Sequence, residues 1–188
     1  VPRRVARGHP SALITMSTPA NFEIGIIGSG VVGTRVAAQL HTLGYRPRIA
    51  PLRHATDLFD CNVVVLAHGA PHSALAATFV AQGIAVVSVS DNLADVLALL
   101  DIQDRALARK VPVIIGAACS PGMTGLLVHH VTRAFESIDE VHVAVHGTGG
   151  PQCARQHHDS LAGVSIGWHE GEWLQRPAGS GRELCWFP

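Results

Sequence analysis

The segment from Phe22 to Val36 reads FEIGIIGSGVVGTRV, and it decides the fold. A run of mostly apolar residues is followed by a turn with glycines at positions 28, 30 and 33, and then by apolar residues at helical spacing. This order predicts a buried strand, a tight turn and a helix. The G-x-G-x-x-G spacing is a weak signal alone, but between a strand and a helix it indicates a loop that binds a dinucleotide.

Each glycine of this loop has a separate predicted role. Gly28 permits the tight turn after the strand, Gly30 lets a pyrophosphate approach the backbone, and Gly33 lets the helix pack close to the strand. The phosphates would bind N–H groups at the helix start, where the helix dipole favours anions. The remaining predicted cofactor-binding residues of the loop are Ser29, Val31 and Val32. The alternative is a glycine-rich turn that binds nothing.

The rest of the first 136 residues alternates between strand and helix patterns. Apolar runs predict strands at 22–27, 48–52, 61–67, 84–89 and 111–117, and helical spacing predicts helices at 31–43, 71–82, 92–109 and about 120–135. The strands are continuous apolar runs, which is typical of a parallel sheet covered on both faces. We therefore predict an α/β fold, a Rossmann-type doubly wound parallel sheet over residues 21–136.

Inside the predicted helix at 92–109, the leucines at positions 93, 97, 100 and 107 and Val96 suggest an apolar face. Pro71 suits the first turn of the helix that follows the third strand, and Ser120 fits an N-cap with Pro121 at the first helical position.

Residues 137–188 have a different pattern. VHVAVH alternates, GVSIGWHEGEWLQRP indicates two short strands joined by a turn, and no long helical pattern occurs. We expect the beginning of an α+β, mainly antiparallel substrate domain that is incomplete in this chain. Residues 1–20 are predicted to be a flexible N-terminal extension, because they are basic, aperiodic and precede the first strand.

The end of the second predicted strand indicates which dinucleotide binds. NAD-binding proteins usually place a carboxylate there for the ribose hydroxyls, but the region from Arg46 onwards has no acidic residue until Asp57. Arg48, Arg53 and His54 could instead face a 2′-phosphate, so NADP(H) is favoured over NAD(H). The alternative is that these residues form a solvated face.

The carboxyl ends of the later strands carry the other predicted cofactor contacts, since ligands of doubly wound sheets bind at this edge. These contacts are Ala67, His68, Gly69 and Pro71 after the third strand, Ser90 and Asp91 after the fourth, and Cys119 after the fifth. Asp91 also fits the cap of the following helix, and capping is the better interpretation.

Composition excludes several classes of function. The formal net charge is zero, so neither nucleic acid nor an anionic membrane is an expected partner. No apolar run reaches the roughly 20 residues of a membrane-spanning helix. The four cysteines are widely spaced without a C-x-x-C pair, which favours structural thiols in a cytoplasmic protein.

Three stretches carry a family resemblance: GIIGSGVVG, VVVLAHGAPHSALAATFVAQGIAVVSVSD and VPVIIGAACSPGMTGLL. Over residues 22–135 they resemble the NAD(P)-binding domain of the saccharopine dehydrogenase family, and more distantly homoserine dehydrogenase and dihydrodipicolinate reductase. The resemblance implies an NAD(P)-dependent oxidoreductase that transfers a hydride to or from an amino-acid or imino-acid-like small molecule. We also expect a homo-oligomer that assembles through the second domain.

The sequence assigns no catalytic group firmly. Some members of the family use a lysine, but Lys110, the single lysine, lies at the wrong end of the predicted sheet. His142 and His146 share one face of a predicted strand, and they or His157 and His158 could serve as acid and base. The alternative is that these are surface histidines. No metal-ligand spacing such as H-E-x-x-H occurs, so no metal is predicted. A non-catalytic dinucleotide-binding module, a sensor or scaffold, is the alternative function.

Overall fold

The apolar run before the glycines forms strand β1, Ile24–Ile27, in which all four residues are buried. The computed structural model of the chain describes residues 22–147, 149–169 and 171–180. The remaining strands of the same sheet are β2 (Arg48–Ala50), β3 (Val63–Leu66), β4 (Ala85–Ser88) and β5 (Val113–Ile115). Their order is β2-β1-β3-β4-β5 and every pair is parallel, which confirms the predicted doubly wound sheet.

Helices cover both faces of this sheet. They are α1 (Val31–Thr42), α2 (Ser73–Ala81), α3 (Leu93–Leu100) and α4 (Gln103–Arg109), with a 3₁₀ helix at Leu52–Leu58. Helix α5 (Met123–Thr132) follows β5 and has no buried residue. Ile26 and Val65 pack with Ala37 of α1 in one cluster, whereas Val64 and Leu66 pack with Phe79 of α2 in the other. The alternation of strand side chains between two covered faces explains why the strand sequences are apolar throughout.

The helix predicted at 92–109 is two helices. It breaks at Asp101 and Ile102, and Ile102 is buried together with Leu99 and Ala106. The predicted apolar face is wrong, because its four leucines at positions 93, 97, 100 and 107 are each at least half exposed. The sequence offers more than one row of leucines at helical spacing, and packing against α2 and β5 selects the other row.

The predicted helix starts at two prolines are also corrected. Pro71 precedes α2, whose N-cap is His72, so it is not a first-turn residue. Pro121 likewise precedes α5, and the N-cap is Gly122 rather than Ser120. Gly122 has a φ of 126°, and a Cβ there would lie 2.5 Å from the carbonyl oxygen of Ala118. Only glycine fits this turn without strain.

The region after α5 contains helix α6 (Pro151–Ser160) and strands β6 (Val164–His169) and β7 (Glu172–Pro177). The two strands form an antiparallel hairpin, as predicted. The residues described between α5 and α6 form neither helix nor strand, so the predicted strand through His142 and His146 is wrong. Helix α6 was not predicted because its sequence, PQCARQHHDS, has no apolar stripe.

The remaining predictions concern the N-terminal extension, membrane-spanning helices and metal sites. The predicted N-terminal extension, residues 1–20, lies outside the described residues. Across the described ranges, no helix combines the length and the hydropathy that crossing a bilayer requires. The same ranges contain no group of three or more His, Cys, Asp or Glu side chains placed to hold a metal ion.

Candidate dinucleotide-binding site

A crevice is expected at the carboxyl ends of β1 and β3. Helix α1 leaves β1 over one face of the sheet and α2 leaves β3 over the other, so the two connections diverge between these neighbouring strands. In doubly wound sheets, ligands bind at this point of divergence. The glycine loop, residues 28–33, lies on one side of it. The residues that follow β3 lie on the other, since the N–H of Ala67 donates to the carbonyl oxygen of Ile27 at 2.8 Å.

Two of the three glycines are required by the backbone itself. Gly28 has a φ of 114°, and a Cβ there would lie 2.5 Å from the carbonyl oxygen of Ala67. Gly33 is buried in the first turn of α1, and a Cβ there would overlap the carbonyl oxygen of Gly28. These positions would therefore need glycine in any protein with this turn, whether or not it binds a ligand.

Gly30 is different. Its φ of −79° and ψ of −166° are ordinary for any residue, so the backbone does not require glycine. A Cβ at Gly30 would meet no atom within 4 Å, so packing does not require glycine either. The open space beside the Gly30 Cα is the room that a phosphate group would need to approach this backbone.

The start of α1 has the chemistry of an anion site. Gly30 is the N-cap, no side chain caps the helix, and its first turn holds no acidic residue. Helix geometry leaves the N–H groups of Val31, Val32 and Gly33 without an acceptor inside the helix. Ser29, Val31 and Val32 are exposed, so this end of the dipole is open to a ligand.

The position of Arg48 does not fit the predicted contact with a 2′-phosphate. It begins β2 and is paired in register with Gly25, at the amino end of the sheet and away from the glycine loop. Its guanidinium hydrogen-bonds to Asp60 and lies 3.1 Å from the Cys61 sulfur. The hydrogen bond to Asp60 raises the pKa of Arg48 and lowers the pKa of Asp60, so the pair is a structural contact between strand starts.

Arg53 and His54 do lie beyond the carboxyl end of β2. They are the second and third residues of the 3₁₀ helix, three and four residues after Ala50, whose carbonyl oxygen accepts a hydrogen bond of 3.0 Å from the N–H of Gly28. Arg53 is exposed, and His54 Nδ1 lies 3.5 Å from Asp57 Oδ2. Of the residues proposed from the sequence to face a 2′-phosphate, these two follow the strand end that is hydrogen-bonded to the glycine loop.

A buried hydrogen-bond network fixes the loop after β3, and its centre is His72. The imidazole is fully buried, with Nε2 2.9 Å from the carbonyl oxygen of His68 and Nδ1 2.8 Å from Ser88 Oγ. A carbonyl only accepts, so Nε2 donates to His68, and Nδ1 shares a hydrogen bond with the Ser88 hydroxyl. Ser88 Oγ in turn accepts from the N–H of Ser90 at 3.2 Å, which ties the loops after β3 and β4 together.

Asp95 is the anionic partner in this network. Its carboxylate accepts hydrogen bonds of 2.8–2.9 Å from the N–H of His72 and 3.0 Å from the N–H of Ser73, at the start of α2. Burial alone would raise the pKa of Asp95, but hydrogen bonds, these among them, outweigh it and the pKa is lowered. Sequence reasoning missed Asp95. The signal was present, since Asn92 caps α3 and accepts from the Asp95 N–H three residues on, a capping-box spacing.

His68 offers an unused polar atom beside the crevice. Its Nδ1 donates to the carbonyl oxygen of Gly69 at 2.7 Å, so the neutral ring has an acceptor at Nε2. Nε2 is buried and has no hydrogen-bond partner among the described residues. Burial lowers the pKa of His68, and the ring packs 4.3 Å from His72. A ligand hydroxyl or amide N–H would satisfy this acceptor.

The remaining residues predicted to bind cofactor or to act in catalysis lie in two separate regions of the structure. Pro71 precedes α2, Ser90 is buried after β4, and the exposed Asp91 accepts a hydrogen bond from Gln156 of α6. Asn92 rather than Asp91 caps α3. Cys119, His142 and His146 instead line a groove of about 790 Å³ along α5, whose lining includes no residue of the glycine loop. His142 Nε2 lies 2.9 Å from Glu140 Oε2.

Comparisons with known proteins identify distant structural neighbours. No protein-family model matches the chain, and no curated protein matches it. The WlbA dehydrogenase from Bordetella pertussis, solved with NADH and UDP-GlcNAcA, is 15% identical over 60% of this chain with a TM-score of 0.46. Homoserine dehydrogenase from S. aureus is 16% identical over 50% of the chain with a TM-score of 0.37. The MviM dehydrogenase from Clostridium difficile is 12% identical over 51% with a TM-score of 0.40.

The chain spans only part of these neighbours. It covers 42% of the WlbA chain, 39% of the MviM chain and 32% of the homoserine dehydrogenase chain. At these identities and TM-scores, the likeness concerns the architecture alone. The strand order and the glycine loop of this chain are what establish the Rossmann-type fold.

Proposed function

We propose that residues 21–136 bind a nicotinamide dinucleotide and that the chain belongs to an NAD(P)-dependent oxidoreductase. One observation carries the proposal. Gly30 is a glycine that neither backbone conformation nor packing explains, next to N–H groups of α1 that have no intrahelical acceptor. A pyrophosphate bound to the glycine loop accounts for both features.

Different residues of the chain would contact the ligand and support the loops around it. The N–H groups of Val31, Val32 and Gly33 would hold the phosphates, and His68 Nε2 would accept a hydrogen bond from the ligand. The network of His72, Ser88 and Asp95 would hold the loops after β3 and β4 in place. When bound, the nicotinamide ring would supply or accept a hydride.

We favour NADP(H), now on Arg53 and His54 rather than on Arg48. Both lie beyond the carboxyl end of β2, where Rossmann-type proteins contact the 2′ position of the adenosine ribose. An exposed guanidinium can make bidentate hydrogen bonds to a phosphate.

The substrate, we propose, is an amino-acid or imino-acid-like small molecule, in accordance with the resemblance to the saccharopine dehydrogenase family. Residues 137–188 are proposed to begin the substrate domain, with His142 or His146 as acid or base, and to mediate a homo-oligomer. Exposed apolar side chains at Val141, Val143 and Val145 support burial of this region against further protein.

The test is calorimetric titration of the purified chain with NADPH and, separately, with NADH. We expect saturable binding of both at one site, tighter for NADPH. If neither nucleotide produces saturable heat, the proposed function is wrong. Binding without any change in nicotinamide absorbance across a panel of amino acids and imino acids would favour the non-catalytic module instead.

A further inference from the structure

Helix α6 begins directly beside the glycine loop. The residue before it, Gly150, packs against the first residue of α1, and a Cβ on Gly150 would lie 3.3 Å from Val31 Cγ2. The start of α6 therefore contacts one wall of the crevice between β1 and β3.

The next residues of α6 contact the opposite wall. A Cβ on Gly69 would lie 2.9 Å from Gln152 Cγ and 3.0 Å from Gln152 Nε2, so the glutamine side chain lies directly on the loop after β3. One turn further, Gln156 Nε2 donates a hydrogen bond to Asp91 Oδ1 in the loop after β4. Three contacts thus attach one helix to three strand-end loops.

This arrangement covers the path that a dinucleotide bound at the glycine loop would take past Gly69 towards the loop after β4. Carbon atoms in van der Waals contact are about 3.5–4.0 Å apart, so a ring between Gly69 and Gln152 would need about twice that separation. The contact between Gly69 and Gln152 leaves no room even for an added methyl group. A dinucleotide extending past Gly69 must therefore displace Gln152.

We propose that α6 is an autoinhibitory strap, which Gln152 and Gln156 hold across the crevice and which the nicotinamide half of the cofactor displaces. The inference rests on the proposed function, because it needs a dinucleotide at the glycine loop. Helix α6 has no buried residue, so few contacts oppose its release. The apparent affinity for the cofactor is therefore the intrinsic affinity multiplied by the fraction of molecules in which α6 is released.

The size of the effect follows from the number of contacts. A typical net hydrogen bond changes an equilibrium constant by about fivefold. Removing both glutamine side chains therefore shifts the equilibrium towards the released helix by about fivefold or more, and the apparent dissociation constant falls by the same factor while the closed form predominates.

The experiment compares NADPH binding to the full chain with binding to a double variant, Gln152→Ala with Gln156→Ala. Arg155→Ala is the matched control, because Arg155 is an exposed residue of the same helix. We expect the double variant to bind NADPH about fivefold more tightly or better, and the control to stay within about twofold of the wild type. Hydrogen exchange gives a second readout, in which saturating NADPH makes the α6 amides of the wild type exchange faster.

Two results would overturn the strap. One is a double variant that binds NADPH no more tightly than the control, and the other is slower exchange of α6 when NADPH is bound. The first would mean that the two glutamines do not oppose cofactor binding, and the second that α6 is a wall that supports the cofactor. If the wild type and all variants fail to bind NADPH and NADH, the proposed function is wrong and the strap is wrong with it. If all of them bind with the same affinity, only the strap is wrong.

Discussion

Gly33 lets α1 approach the glycine loop closely, and the substitution Gly33→Ala tests that approach. The residue is buried in the first turn of α1. An added Cβ would overlap the carbonyl oxygen of Gly28 and lie 3.0 Å from its carbonyl carbon and 3.4 Å from Ile26 Cγ2. The first two are backbone atoms, which cannot rotate away, so α1 and β1 must move apart.

The expected loss of stability combines two opposing effects. Forcing an extra carbon into a packed site costs about 1–3 kcal/mol, and the backbone overlap puts Gly33→Ala at the upper end. Alanine is better than glycine in a helix by up to about 1 kcal/mol, which offsets part of the loss. We therefore expect the free energy of unfolding to fall by about 2 kcal/mol, which lowers the Tm by roughly 4–8 °C in a chain of this size.

The assay is thermal unfolding followed by circular dichroism, with Gly125→Ala as the matched control. Gly125 is the third residue of α5, as Gly33 is of α1, but it is exposed and a Cβ there would meet no atom within 4 Å. Alanine at this position should leave the Tm unchanged or raise it slightly. If Gly33→Ala unfolds at the wild-type temperature, α1 does not pack on the glycine loop as described.

Three further predictions concern charge. Arg53→Ala should weaken NADPH binding about tenfold or more and leave NADH binding within about twofold, because a guanidinium–phosphate contact is charge-assisted. Arg48→Ala should leave the ratio of the two affinities unchanged, and an altered ratio measured by calorimetry would contradict the placement of this residue at the amino end of the sheet. Asp95→Asn should lower the free energy of unfolding by about 2 kcal/mol at neutral pH, since the buried carboxylate loses charge-assisted hydrogen bonds. Because the folded pKa of Asp95 is lowered, its contribution is complete above its ordinary value of 3.8 and is lost as the pH falls through the folded value. The free energy of unfolding, measured with urea at several pH values, should therefore fall less steeply towards acid pH in Asp95→Asn than in the wild type. Parallel pH dependences of the two proteins would refute the lowered pKa of Asp95.

The sheet could be predicted from the sequence because its strands are buried on both faces. Val63–Leu66 and Ile24–Ile27 are apolar at every position or nearly so, and Gly44 ends α1 with a φ of 86°. Such signals are local, since each depends on a few consecutive residues.

The register between strands could not be predicted in the same way. Arg48 was expected at the glycine loop, but pairing with Gly25 puts it at the far end of β2. A three-residue strand between two prolines carries too little pattern to fix its register against β1, and therefore how far each of its residues lies from the loop. Long-range pairing sets this position.

Tertiary packing determines which side of α3 is buried, and the sequence alone does not indicate that side. The leucines of α3 lie on several sides of the helix; Leu99 is buried in the core, whereas Leu93 and Leu97 are exposed. Helix α6 has a polar sequence without an apolar stripe, and only Pro151 after two glycines marked its start. The contact of Gln152 with Gly69 joins residues more than eighty positions apart and could not have been inferred from spacing.

The most direct test of the central claim is NADPH titration of Gly30→Ala alongside its unfolding curve. A Cβ at Gly30 meets nothing in the protein and suits the backbone, so the variant should unfold at the wild-type temperature. If a pyrophosphate binds at the loop, the same Cβ should weaken NADPH binding about tenfold or more. Unchanged stability with lost binding is the predicted result. Wild-type affinity in Gly30→Ala would contradict the account, because the phosphates would then not approach the backbone at this glycine.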